Sequence, residues 1–152
     1  MRRDELLLNS RNPTVSTAST EFVAAAAGSE GWENEVWDQR ITVPVTTLDA
    51  LIAGHGMPHF VKIDVEGHEL AVLQGLSVAV PALSFEFTTL QHDAAHACID
   101  RLSDLGRYEY NLSLGEEHRL RHETWRGANA LRDELSALPH SANSGDVYAR
   151  RI

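Results

Sequence analysis

The chain has one cysteine, few basic residues and no long apolar run, and each of these shortages argues against a class of protein. Cys98 is the single cysteine among 152 residues, so no intramolecular disulfide can form, as is typical of a reducing compartment. Lys and Arg number 13 against 22 Asp and Glu, and the net charge of −9 argues against nucleic acid or an anionic membrane as partner. Residues 6–8, three leucines, are too few for a signal sequence, and no long apolar run follows. We therefore expect a soluble, cytoplasmic protein.

The length and hydrophobic content predict one globular domain. A hydrophobic fraction of 43% over 152 residues is ordinary for a folded chain and argues against disorder. A domain of this size buries roughly two-thirds of the surface of its unfolded chain. We expect a single domain over residues 1–152.

The most informative stretch is residues 60–76, FVKIDVEGHELAVLQGL. A short apolar run is followed by acids at Asp64 and Glu66, then by Gly67 and an amphipathic pattern, which predicts a buried strand, a tight turn and a helix. Ligands of open α/β sheets bind at the carboxyl ends of the strands. The acids after this strand are therefore expected to point into the functional site.

The first half of the chain gives weaker patterns. Residues 1–10 predict a short helix, and the apolar residues 20–27 predict a strand, although their four alanines equally suit a helix. Trp32 and Trp37 are interpreted as anchors that pin a polar loop to the core. Residues 41–47 predict an extended segment, which Pro44 restricts to a sheet edge. Thr46 or Thr47 can cap a helix that begins at Leu48.

The second half predicts a regular alternation of elements. Residues 81–88 form a strand with Phe85 and Phe87 on one side and Glu86 on the other. A helix over residues 93–105, a strand over 108–114, an irregular segment, a helix over 129–138 and a strand over 146–150 follow. This order indicates an α/β fold.

The central stretch resembles the signature of the FkbM family of S-adenosylmethionine-dependent methyltransferases, K-I-D-x-E-G-x-E followed by Leu-x-G. A Thr-Leu-Asp at residues 47–49 extends the resemblance upstream. The signature positions in register are Lys62, Ile63, Asp64, Glu66, Gly67 and Glu69. The resemblance implies a partial class I methyltransferase (Rossmann-like) sheet with helices on both faces and a C-terminal antiparallel strand pair. It also implies transfer of a methyl group from S-adenosyl-L-methionine to an oxygen of a small molecule or sugar.

Part of the family's cofactor site has no counterpart in the sequence. The resemblance implies a first strand followed by a Gly-rich turn, and an acid after the second strand, but no residue before position 22 supplies either. We therefore expect a domain truncated at its N-terminus, with one edge of the central strand unpaired. Such an edge favours pairing with another chain, either as a homo-oligomer or as a non-catalytic, methyltransferase-like interaction subunit that completes its sheet with a partner.

The predicted catalytic residues are Asp64, Glu66 and Glu86, with Glu69 beside them. Carboxylates can act as general bases toward a hydroxyl or hold a hard cation; alternatively, Asp64 caps the following helix and the glutamates complement its dipole. Lys62 is expected to pair with one of these acids. For the cofactor, the resemblance points to Asp64, and to Ala27 and Gly28 at the end of the family's third strand; a plain turn is the alternative.

Histidines offer a further, weaker pattern. Three pairs have the i, i+4 spacing of a helical metal site: His55 with His59, His92 with His96, and His118 with His122. No convincing third ligand accompanies them, so we interpret the spacing as chance and predict no metal. A metal-dependent hydrolase that uses the acid cluster is a third possible function. The sequence contains no nucleophile signature that supports it. His68 could be a base, but a solvent-facing helix residue is the favoured interpretation.

Overall fold

The computed structural model describes residues 2–152 and contains two separate sheets. The elements in chain order are β1 (Arg3–Leu8), α1 (Thr20–Ala26), β2 (Gln39–Pro44), α2 (Leu48–His55), β3 (Val61–Ile63), α3 (Glu69–Gln74), β4 (Ala82–Thr88), α4 (His92–Leu105), β5 (Tyr108–Leu114), α5 (Ala128–Ala137) and β6 (Ser144–Arg151), with short 3₁₀ helices at Pro13–Val15 and His140–Ala142. None of the helices within residues 2–152 combines the length and apolar character needed to cross a membrane.

The main sheet has the strand order β3-β4-β6-β5. Strands β3 and β4 are parallel, and β6 is antiparallel to both β4 and β5. The carboxyl ends of β3, β4 and β5 therefore lie at the same edge as the beginning of β6. The predicted α/β fold with a C-terminal antiparallel pair is confirmed. β1 and β2 pair separately as an antiparallel ribbon.

The two faces of the main sheet differ in character. One face carries buried apolar side chains such as Phe85, Leu112 and Val147, which pack with buried residues of α3, α4 and α5 in a single core. The opposite face carries polar residues, including Lys62 and Glu86. The helices that build this core, α3, α4 and α5, lie on the apolar face.

Two predictions for the first half of the chain are wrong. Within the predicted helix over residues 1–10, the described residues form strand β1, because six residues pair with β2 from a distant part of the chain. The predicted strand over residues 20–27 is helix α1. Ser19 caps this helix by accepting the Phe22 N–H at 3.0 Å, and alanine is the strongest helix former, so local preference decides here.

The bounds of the other elements agree with the predicted ones to within about three residues. Thr47 caps α2 by accepting the Ala50 N–H at 3.2 Å, as predicted. The two tryptophans are anchors, as interpreted: Trp32 and Trp37 pack edge-on against Phe22, and the Trp37 indole donates to the Val15 carbonyl at 2.8 Å.

Helix α1 is fixed against the turn that follows β3. Phe22 is fully buried, and its ring and Cβ lie where a side chain at Gly67 would project. A Cβ at Gly67 would approach the Phe22 Cβ to 2.6 Å, and Gly67 also has a φ of +87°. A glycine is therefore required here both by backbone conformation and by close packing.

We expect Gly67→Ala to destabilise the fold by about 2–4 kcal/mol, because a left-handed backbone and a steric clash act together. Gly28→Ala is the matched control, since Gly28 has a φ of +76° and no atom within 4 Å of an added Cβ. It should cost only about 1–2 kcal/mol. Urea unfolding measures both. Equal losses would show that the contact between Phe22 and Gly67 is not tight.

Candidate active site

Three carboxylates converge at the carboxyl edge of the main sheet. Asp64 directly follows β3, Glu66 lies two residues further on, and Glu86 lies near the end of β4. Each has an oxygen within 4.8 Å of the others. They meet because β3 and β4 are parallel neighbours with Ile63 opposite Phe85. Their predicted convergence is confirmed, and their catalytic role remains a prediction.

A strained turn places Glu66 beside the other two acids. Glu66 has a φ of 50° and is followed by Gly67 at 87°, so two successive residues adopt left-handed conformations. A positive φ is uncommon outside glycine and persists when surrounding contacts impose it. Here the Thr17 hydroxyl donates to the Glu66 carbonyl at 2.5 Å, and Phe22 packs against Gly67.

Glu69 forms the turn rather than joining the cluster. Its side chain is buried and accepts the N–H groups of Val65 at 3.3 Å and Gly67 at 3.2 Å. The alternative in which Asp64 caps α3 is wrong, because His68 is the N-cap residue and no side chain caps this helix. Glu69 thus holds the backbone from which Asp64 and Glu66 project.

The glutamates of the cluster titrate near neutral pH. Burial raises the pKa of Glu66 to about 7, and the charges of Asp64 and Glu69 add to the effect. Burial raises the pKa of Glu86 to about 8, with further contributions from Glu66 and Asp64. A carboxyl group that titrates near neutrality can both accept and return a proton.

Lys62 contacts acids on both sides of this edge. Its ammonium lies 3.5 Å from Asp64 Oδ2 and 2.5 Å from Asp146 Oδ1. The predicted ion pair of Lys62 is therefore confirmed with Asp64, whereas Asp146 was not foreseen as a partner. Asp146 is the third residue of β6, 84 residues away in sequence, and no local pattern marks its position beside Lys62.

The cavity behind the cluster is small and offers no thiol nucleophile. It has a volume of about 20 Å³ and is lined by Glu69, Glu86, Cys98 and neighbouring residues. This is room for about one water molecule. Burial raises the pKa of the Cys98 thiol to about 12, so this group stays protonated and unreactive.

The cavity beside Glu86 is too small to enclose a nucleoside-sized cofactor. Pockets for such molecules measure roughly 300–1,000 Å³, far more than the cavity beside Glu86. Ala27 and Gly28 were assigned to the cofactor as the end of a strand, but they follow helix α1, so that reason no longer applies. Within residues 2–152 the main sheet ends at β3, and Asp64 is the one assigned cofactor residue that lies at its carboxyl edge.

The histidine pairs lie apart from the acid cluster. His92 and His96 are on α4, and His55 ends α2. His122 contacts Glu134 of α5 at 2.6 Å, and His118 lies 3.3 Å from Glu116 on an exposed loop. Among residues 2–152, the acid cluster is the group whose geometry could hold a cation, although the Lys62 ammonium already contacts Asp64.

Comparison with known protein families identifies the family of the chain. The Methyltransferase FkbM domain matches residues 4–125, most of the chain, including the β3 strand, its acidic turn and Glu86. The chain belongs to this methyltransferase family. No curated protein matches it significantly.

The raised pKa values of the two glutamates predict how the stability of the fold depends on pH. A carboxyl group whose pKa rises from 4.5 to about 8 on folding keeps its proton where the unfolded chain has lost it, so stability falls as pH rises across this window. We expect Glu86→Gln to be ~1–2 kcal/mol more stable than the wild type at pH 8, with little difference at pH 5. Urea unfolding at several pH values measures this.

The control for this comparison is Glu116→Gln, which removes a carboxylate whose side chain is 95% exposed. It should leave the pH dependence unchanged. A Glu86→Gln variant that follows the wild-type curve at every pH would mean that Glu86 ionises normally.

Proposed function

We propose that this chain takes part in methyl transfer from S-adenosyl-L-methionine to a hydroxyl oxygen of a small molecule or sugar. The supporting observation is the convergence of Asp64, Glu66 and Glu86, with oxygens within 4.8 Å of one another, at the ligand-binding edge of the sheet. Membership of a methyltransferase family supplies the reaction class.

The acids fit the needs of an oxygen acceptor. A hydroxyl group must lose its proton as its oxygen becomes a nucleophile, and a base that titrates near the working pH serves best. Glu66 and Glu86, with pKa values of about 7 and about 8, meet this requirement. Asp64 is the most exposed of the three and is suited to orient the hydroxyl by accepting its hydrogen bond.

S-adenosylmethionine would supply the methyl group, and its use rests on the family rather than on a formed cavity. A cytoplasmic location is part of the same proposal and agrees with the buried, free thiol of Cys98. The methyl acceptor is proposed only as a class: a small molecule or sugar that carries a hydroxyl group.

Calorimetric titration with S-adenosylhomocysteine tests cofactor binding. We expect saturable binding that Asp64→Ala weakens about tenfold or more, equivalent to about 1.4 kcal/mol. Asp104→Ala is the matched control, because it removes the same charge from the exposed, C-terminal part of α4. A folded chain that binds no S-adenosylhomocysteine would contradict an independent methyltransferase and favour the second candidate.

The second candidate is a non-catalytic interaction subunit, and the free edge of β3 favours it. Among residues 2–152, β3 pairs with β4 alone, which leaves its other side without a strand partner. Phe60, directly before this strand, is 48% exposed. Unpaired edges and exposed apolar side chains favour association. We therefore propose this edge as a contact with a second copy or a partner chain.

Light scattering at increasing protein concentration tests self-association. We expect a concentration-dependent dimer that Phe60→Glu shifts toward the monomer, because a charge would be buried in the contact. Val78→Glu is the control, since Val78 is 42% exposed and lies in the segment between α3 and β4, outside β3. A wild-type chain that is monomeric at every concentration would contradict self-association through β3.

A further inference from the structure

Lys62 reaches across a strand to meet Asp146. Lys62 on β3 lies opposite Ser84 on β4, and Glu86 on β4 lies opposite Asp146 on β6. The ammonium therefore crosses β4 between Ser84 and Glu86, over two strand spacings of about 10 Å in total. Ser84 is a small residue, and its buried hydroxyl has no hydrogen-bond partner within residues 2–152. The small side chain leaves room for Lys62 to pass over β4.

Asp146 is well placed to hold the lysine. Its side chain is 14% exposed, whereas that of Lys62 is 45% exposed and that of Asp64 is 51% exposed. The short 2.5 Å contact to Asp146 and the longer 3.5 Å contact to Asp64 show which acid binds the ammonium more closely. The strand fixes Asp146, and Asp146 in turn fixes Lys62 beside Asp64.

The surroundings of the cluster are otherwise negative. The acids that face it are Asp64, Glu66 and Glu86 themselves, Glu69 from α3, Asp146 from β6 and Glu35 from the loop before β2. Among the ion pairs within residues 2–152, Lys62 is the one cation paired with any of these groups. Lys62 is therefore the counter-charge that these ion pairs supply at the cluster.

We propose that Lys62 and Asp146 form a charge clamp, a pair of positioning residues that orients Asp64 and sets the net charge of the acid cluster. Asp146 takes up part of the lysine charge, so less of that charge acts on Glu66 and Glu86, which therefore titrate near neutral pH. Asp64 keeps its 3.5 Å contact with the Lys62 ammonium, which orients its side chain. The inference rests on the proposed function, in which the cluster receives the proton of the acceptor hydroxyl.

The charge clamp predicts opposite effects for its two members. Lys62→Met keeps the length of the side chain but removes the cation, so the remaining negative charges raise the pKa values of Glu66 and Glu86. Asp146→Asn keeps the shape of the side chain but frees the lysine charge to act on the cluster, so the same pKa values fall. A role in folding alone would not give shifts of opposite sign.

Titration of the glutamate side-chain carboxyl carbons by ¹³C NMR tests this inference. We expect the pKa values of Glu66 and Glu86 to rise by about one unit in Lys62→Met and to fall by about one unit in Asp146→Asn. Arg40→Met and Glu109→Gln are the charge-matched controls. Arg40 and Glu109 form ion pairs with Glu5 and Arg150, outside the cluster, and their replacement should shift neither group measurably.

Shifts of the same sign in both variants, or shifts no larger than those of the controls, would overturn the charge clamp. The titration needs neither cofactor nor acceptor, so its outcome is independent of methyl transfer. Opposite shifts in a chain that binds no S-adenosylhomocysteine would support the charge clamp and reject the proposed function. A chain that binds S-adenosylhomocysteine but whose variants show no opposite shifts would reject the charge clamp alone.

Discussion

The turn between β3 and α3 is the constraint on which the candidate site depends. Glu69 accepts two backbone N–H groups of the turn, Thr17 donates to the Glu66 carbonyl, and Phe22 packs against Gly67. These contacts come from three separate parts of the chain. They hold Glu66 in a left-handed conformation and keep Asp64 beside β4, so the turn joins the N-terminal ribbon and helix to the main sheet.

The site combines buried acids with very little positive charge. Burial disfavours an ionised carboxylate, and neighbouring acids disfavour it further, so the glutamates respond by retaining protons. Lys62 and Asp146 limit this cost at one side of the cluster. Such an arrangement lowers stability near neutral pH and is typical of sites whose charges serve a reaction rather than the fold.

The two faces of the main sheet have different roles, one in the stability of the fold and one in the candidate site. Its apolar face packs against α3, α4 and α5 in one core, and its polar face carries Lys62 and Glu86 toward the carboxyl edge. Because successive residues of a strand alternate between faces, the same four strands serve both roles. The acid cluster can therefore carry a costly charge arrangement without interrupting the core.

Local sequence patterns correctly predicted most of the elements of the fold. The β3 strand, its acidic turn and the later helices follow from apolar periodicity and from Gly67. β1 was missed because its pairing with β2 is long-range, and α1 was missed because an apolar alanine run suits both a strand and a helix. The contact between Lys62 and Asp146 depends on sheet register across 84 residues, which no local pattern contains.

The most direct test of the central claim is to count protonated carboxyl groups by infrared spectroscopy. If Asp64, Glu66 and Glu86 form one buried cluster, the wild-type chain at pH 6 should show the absorption of at least two protonated carboxyl groups, corresponding to Glu66 and Glu86 with pKa values of about 7 and about 8. That absorption should disappear as the pH rises to 9, with the fold intact. A chain with no protonated carboxyl absorption at pH 6 would contradict the existence of the cluster.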